Sequence, residues 1–196
     1  MLPAQVVEKP VSFHSFLALL DARGGEARLE LIEGEVVATP DSTEDHEQIA
    51  AYVFGSLKPA MDARGCRSFA GGMLVRKPDR DDIATAPDVV VRCRSPLGSQ
   101  RFIEDPVIVV EVLSPSTMDE DRGPKLMFYK SLPTLRHVAL VYQDEWRIET
   151  WDRAGDVWSY RALTAAGDAL SLTWVDHAVP LRVAYAGTGL ASRIAG

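Results

Sequence analysis

Apolar residues recur along this chain at spacings that switch between the helix and the strand period. After Ser12, a candidate cap, Phe13, Phe16, Leu17 and Leu20 share one helical face, and Gly24-Gly25 would end that helix. Leu29 and Leu31 then alternate with polar neighbours, Glu33-Gly34 makes a turn and Val36-Val37 returns, so residues 28–37 read as a hairpin. A second helix opens within residues 40–43, with Asp41, Ser42 and Thr43 as capping candidates and Glu44 and Asp45 in its first turn. Ile49, Ala50, Val53, Leu57, Ala60 and Met61 form its apolar face. Pro59 is expected to kink or shorten its end, and Gly65 lies just past it.

Four β-rich runs follow, over residues 67–70, 73–76, 88–93 and 107–113. The last is apolar on both parities except at Glu111, the pattern of a strand in the middle of a sheet covered on both faces. Residues 114–117 break it, and residues from about 119 to 131 read as a helix whose first turns Gly123-Pro124 disturb. Residues 136–142 predict another strand of the same sheet. Residues 146–151 and 157–163 pair as a hairpin around 153–156, and a further strand near 169–174 leads to a short C-terminal segment. No repeat or linker interrupts this order. Residues 1–196 are therefore expected to form a single α/β domain, a mixed central β-sheet flanked by helices with a C-terminal β-hairpin extension.

Composition narrows the function classes. With 196 residues, 46% hydrophobic, the chain can bury a core that needs neither disulfide nor structural metal. Cys66 and Cys93 form no CxxC pattern and read as two isolated buried thiols of a reducing compartment. The N-terminus carries no secretory pattern, and the longest apolar run, Val107 to Val110, is far too short to span a bilayer, so no membrane role and a cytoplasmic location are expected. A formal net charge of −7 argues against coating nucleic acid over the whole surface. A local basic excess remains in mid-chain, among Arg64, Arg67, Arg76, Lys77, Arg80, Arg92, Arg94 and Arg101; scattered solvated side chains are the simpler account of it.

Glu111 is the informative residue. An ionisable group within Val-Ile-Val-Val-Glu-Val-Leu costs several kcal/mol to desolvate unless something pairs with it. It lies near the C-terminal end of its strand, where α/β sheets place ligands. The preceding strand begins at Pro87-Asp88. If the two strands are neighbours, with axes roughly 4.8 Å apart, the two carboxylates repel unless a cation lies between them, and carboxylate oxygens with waters suit Mg²⁺ (or Mn²⁺). Lys125, on the next helix, can point back at the same spot. A cation there would polarise a phosphoryl oxygen and acidify a bound water, and the lysine would orient that water or stabilise developing charge.

These residues also carry a resemblance. Pro87-Asp88, the block Glu111-Val-Leu-Ser-Pro-Ser-Thr, and Asp121-Arg-Gly-Pro-Lys125-Leu-Met-Phe-Tyr129 resemble the Uma-two family of restriction-endonuclease-like proteins of the PD-(D/E)XK nuclease superfamily. So do Leu29-Glu-Leu-Ile-Glu-Gly-Glu35, the helix opening at His46, and Leu132-Pro-Thr-Leu-Arg136. The resemblance implies a restriction-endonuclease-like fold, a divalent metal and DNA as substrate. It assigns Asp88 and Glu111 as metal ligands and Lys125 as a catalytic lysine moved from the strand to the following helix; Leu113 stands at the usual lysine position. The function expected is a Mg²⁺-dependent endodeoxyribonuclease, the alternative a degenerate nuclease fold that binds nucleic acid or protein. A homodimer or higher even-numbered homo-oligomer suits cutting two strands.

Beside these stand the simpler readings. Glu111 alone would be a buried glutamate on a structural arginine, and Lys125 alone an exposed helix lysine. His46 and Glu33 are possible accessory residues; a capping histidine and a solvent-facing glutamate are the alternatives. The histidines lack zinc-ligand spacing, and Ser114 and Ser116 lack a suitably spaced histidine. Trp146, Trp151 and Trp158 are read as covering a core or a dimer interface.

Overall fold

A computed structural model describes residues 10–23, 28–39, 41–94, 98–115 and 118–191. In chain order they form α1 (Phe13–Ala22), the hairpin β1 (Leu29–Ile32) and β2 (Glu35–Ala38), and α2 (Glu44–Asp62). Then come β3 (Arg67–Ala70), β4 (Leu74–Arg76), β5 (Ala84–Thr85), β6 (Val89–Arg92), β7 (Phe102–Ile103) and β8 (Pro106–Leu113). A broken helix follows: α3 (Met118–Glu120), a π-helical turn (Asp121–Lys125) and α4 (Leu126–Ser131). Next are β9 (His137–Tyr142), β10 (Ile148–Ala154) and β11 (Val157–Leu163). The chain closes with β12 (Ala169–Leu172), a 3-10 turn (Thr173–Val175), β13 (His177–Pro180) and α5 (Leu181–Ala184).

The main sheet runs β11-β10-β9-β8-β6-β3. It is mixed: β8 lies parallel to β9 and antiparallel to β6. The run 107–113 therefore occupies the interior expected from its two-sided hydrophobicity, and the hairpin 148–163 is the outer edge of this sheet. The mixed central sheet is the one expected, but not every strand joins it. Instead β2-β1-β5-β4-β7 form a second, five-stranded sheet, and β12 and β13 pair separately. Short strands leave room for this split, because burial on both sides of a thin second layer satisfies the same alternation.

Strand parity decides which face meets what. Ile108, Val110 and Val112 pack with Val89, Val91, Ala139 and Val141 against α2 and the β12–β13 region. Val109 and Leu113 turn the other way, toward α4 and the second sheet, with Val90, Leu140, Ile32 and Val75. α1 covers the far side of that second sheet through Phe13 and Phe16. Each fully buried aliphatic side chain contributes about 1.5–3 kcal/mol, so the strand is fixed on both faces despite the carboxylate it carries.

Local signals explain most element ends. Ser12 caps α1 by accepting from the Ser15 amide, and Thr43 caps α2 by accepting from the His46 amide. Gly24-Gly25, expected to end α1, lie outside the described residues. Gly34 and Gly65 have φ of +84° and +70°, the left-handed turns that favour glycine. α2 ends three residues past Pro59, with the apolar stripe carrying Met61 still packed. One expectation is corrected. Cys66 and Cys93 are not separate thiols but a disulfide. The antiparallel pairing Arg67↔Arg92 puts position 66 directly across from 93, so a sequence separation of 27 vanishes in the ladder. A reducing compartment can no longer be argued from two thiols. Among the described residues no helix is long and apolar enough to cross a membrane.

Candidate active site

The β6–β8 register runs Val89↔Val110 and Val90↔Val109. One further step sets Asp88 opposite Glu111, where antiparallel partners lie about 4.5–5.5 Å apart at Cα. Both positions share the parity of Val90 and Val109, whose side chains pack on the second-sheet side. Asp88 Oδ2 accepts the Val112 amide at 2.7 Å, and Oδ1 lies 3.1 Å from His46 Nε2. His46 thus sits in the site, brought there by the Thr43 cap that starts α2 beside it. Burial works to lower its pKa, but the hydrogen bond and charge of Asp88 outweigh this and hold it above the ordinary histidine value.

Glu111 is buried and accepts the Tyr129 hydroxyl. Burial pushes its carboxyl well above the usual range, Lys125 pulls it back, and Asp121, Asp88 and Glu30 push it further up. Lys125, 5% exposed, lies 2.7 Å from Glu30 Oε2, 2.8 Å from Asp121 Oδ1 and 3.6 Å from Glu111 Oε1. Burial alone would lower the lysine, yet the charges of Glu111, Glu30 and Asp121 raise it well above normal. Lys125 is therefore a fixed ammonium, fit to stabilise negative charge and unfit as a general base. Tyr129 is pushed well up by burial and by the neighbouring carboxylates, so it remains a phenol that donates.

The broken helix provides the placement. Gly123 leaves the helical region (φ −98°, ψ −107°) ahead of Pro124, and the kink there sets Lys125 at the start of α4. Lys125 and Tyr129, four residues apart, then share the face that looks down on Glu111.

Glu30 is the residue that sequence reasoning missed. Leu29 and Leu31 point to α1, so Glu30, one of their polar neighbours, points the opposite way. The main sheet lies there. Glu30 is buried, Oε1 accepts the Ala86 amide at 2.6 Å, and Oε2 holds Lys125. The alternation around Glu30 was the available signal. Asp121, also missed, is buried against the same lysine. Glu33 is not brought to the site: it occupies the hairpin turn with φ +51° and is exposed. The tryptophans cover core, Trp151 in the layer under α4 and Trp146 stacked on Tyr185.

Asp88, Glu111, Glu30, Asp121, Lys125 and His46 line one cleft of about 240 Å³. Among the described residues no three carboxylate or imidazole groups form a ready metal cage. The paired carboxylates of Asp88 and Glu111 nonetheless suit Mg²⁺, which commonly takes one or two carboxylates and completes its shell with waters and phosphate oxygens. The three carboxylates around Lys125, with Asp88 beside them, also leave an acidic excess that favours a cation. Much of the mid-chain basic excess is consumed in ion pairs: Arg92 and Arg94 with Asp105, Arg76 with Glu104, Arg80 with Asp82 and Lys77 with Asp79.

Comparison with known proteins gives a consistent picture. Residues 13–179 match the Uma2 family, described as "Putative restriction endonuclease". Two proteins of Synechocystis sp. are similar, both named as uncharacterized. One, sll1609, is 26% identical over 130 residues, covering 65% of this chain and 73% of its own; the other, slr1290, is 28% identical over 163 residues, covering 81% and 83%. The crystal structure of "a putative nuclease belonging to DUF820" from Anabaena variabilis superposes with a TM-score of 0.73 at 16% identity, covering 90% of this chain and 98% of that one. The fold is the restriction-endonuclease-like α/β fold.

Proposed function

This chain belongs to the Uma2 family, and from that premise we propose that it is a divalent-cation-dependent endonuclease hydrolysing DNA phosphodiester bonds, with Asp88, Glu111 and Lys125 at its centre. The observation that carries this reading is the convergence of two cross-strand carboxylates and a buried ammonium in one cleft.

Asp88 and Glu111 would hold Mg²⁺ or Mn²⁺. When bound, that cation polarises a phosphoryl oxygen and lowers the pKa of a bound water. The Val112 amide and His46 fix the Asp88 carboxylate, and Tyr129 fixes Glu111. Lys125 supplies a permanent positive charge beside Glu111, where negative charge builds up on the phosphoryl oxygens as the water attacks. Because Lys125 reaches Glu111 from the helix, Leu113 is free to pack in the core, where it is fully buried. Cutting both strands of a duplex calls for two such sites, which a two-fold dimer supplies.

The test is a thermal melt with and without millimolar Mn²⁺, run beside Glu111→Ala, followed by incubation of plasmid DNA with Mg²⁺ or Mn²⁺. The expected result is a metal-dependent rise in the wild type and cleavage, both absent from the variant. A wild type that neither responds to metal nor cuts DNA would leave a fold used for binding alone.

A further inference from the structure

We infer that Arg28 is the phosphate-binding residue of this cleft and sets the path of the DNA strand across it. The inference rests on the nuclease reading above and adds a residue to it that the carboxylate site does not include.

Three cationic side chains line the cleft: Lys125, Arg28 and His46 when protonated. Lys125 is locked among three carboxylates, and His46 is turned onto Asp88. A polyanion entering a cleft lined by five carboxylates needs a positive group that can turn toward it. Arg28 meets that need. Its side chain is 39% exposed, and its ion pair among the described residues is with Asp88 Oδ1 at 3.6 Å, too long for a hydrogen bond. Most of its five donors therefore remain for a ligand, and a guanidinium fork matches two phosphate oxygens.

Position supports the assignment. A second cleft, of about 300 Å³, adjoins the first, and Arg28 and Asp88 line both. The rest of its wall is Gly71, Gly72, Ala50, Ala51 and Ala70, with Glu47 as its acidic member. Gly71 and Gly72 both have positive φ (63° and 75°), and a β-carbon on Gly71 would stand 3.4 Å from the Arg28 guanidinium. A side chain at Gly71 would therefore press on the guanidinium. A strand whose reacting phosphate sits at Asp88 and Glu111 would continue over Gly71-Gly72, with Arg28 holding the adjoining phosphate.

The test reads binding as well as cleavage. A fluorescein-labelled duplex oligonucleotide is titrated with wild type, Arg28→Ala and Arg28→Lys in Ca²⁺, across a salt series, by anisotropy. Cleavage in Mg²⁺ is followed in parallel, with thermal melts to show that the variants fold. The expected result for Arg28→Ala is about tenfold weaker binding and a salt slope reduced by about 0.9, the value of one phosphate contact. Its loss in cleavage should appear mainly in KM. Arg28→Lys should keep the slope and recover part of the affinity. Wild type that binds and cuts, with an Arg28→Ala variant equal to it in affinity and slope, would overturn the inference while leaving the nuclease reading intact. Wild type that neither binds nor cuts would overturn both.

Discussion

Lys125→Met is the sharpest probe of how the site is held together. Methionine roughly keeps the length of the side chain and removes its charge. The Lys125 ammonium lies within 2.8 Å of both Glu30 and Asp121 and 3.6 Å from Glu111, and all four residues are buried. Removing one partner of a buried ion pair costs about 3–5 kcal/mol. The loss does not simply multiply over three carboxylates, because burial already holds Glu111 toward its protonated form. For a chain of this size each kcal/mol moves the midpoint by about 2–4 °C, so a fall of about 6–20 °C is expected. Calorimetry in EDTA measures it. Glu111→Gln is the companion variant. Its neutral amide still accepts from Tyr129 and replaces a carboxyl whose charge burial disfavours, so the melt should move by no more than about 1 kcal/mol equivalent. It should also abolish the Mn²⁺-induced rise. A Lys125→Met protein that melts within about 2 °C of wild type, or a Glu111→Gln protein as unstable as Lys125→Met, would refute the view of Lys125 as the central charge of this cluster.

Other perturbations have equally definite outcomes. Changing Cys66 and Cys93 together to serine opens a loop of 27 residues and should cost roughly 2–4 kcal/mol; urea unfolding with and without reductant measures this, and reductant should have no effect on the double variant. His137 is fully buried, donates to Asp152 and meets Thr150. Asp152→Ala strands that imidazole and should cost about 1–3 kcal/mol. The pH dependence follows from the same pair. Burial works to raise Asp152, but His137 and Arg161 outweigh it and draw it below the usual carboxylate range. A lowered folded pKa gives stability that is present above the ordinary value of about 3.9 and is lost as pH falls through the folded value. Asp152→Asn should flatten that acid limb in urea midpoints collected between pH 6 and 3. His46→Ala removes the partner of Asp88 Oδ1 and should weaken Mn²⁺ binding by calorimetric titration while leaving the fold intact.

What could be read from the chain alone was whatever depends on neighbours in sequence. The caps Ser12 and Thr43, the Glu33-Gly34 turn, the central position of 107–113 and the disturbed helix at Gly123-Pro124 are local, set by capping geometry, backbone freedom and strand period. Glu111 stood out because a carboxylate amid six apolar strand residues must have a partner, and that argument needs no coordinates. Asp88 was singled out by its place opposite Glu111, and Lys125 by the family resemblance; the sequence pattern alone reads Lys125 as an exposed helix lysine. Tertiary structure alone decided who the partners are. The polar side of β1 meets the main sheet rather than water, so Glu30 joins the cluster and Glu33, three residues on, does not. The antiparallel ladder of β3 and β6 joins two cysteines that look isolated in sequence. Period tells which way a side chain points along its own element. What stands on that side is fixed by how separate elements stack, and no single stretch of sequence contains that information.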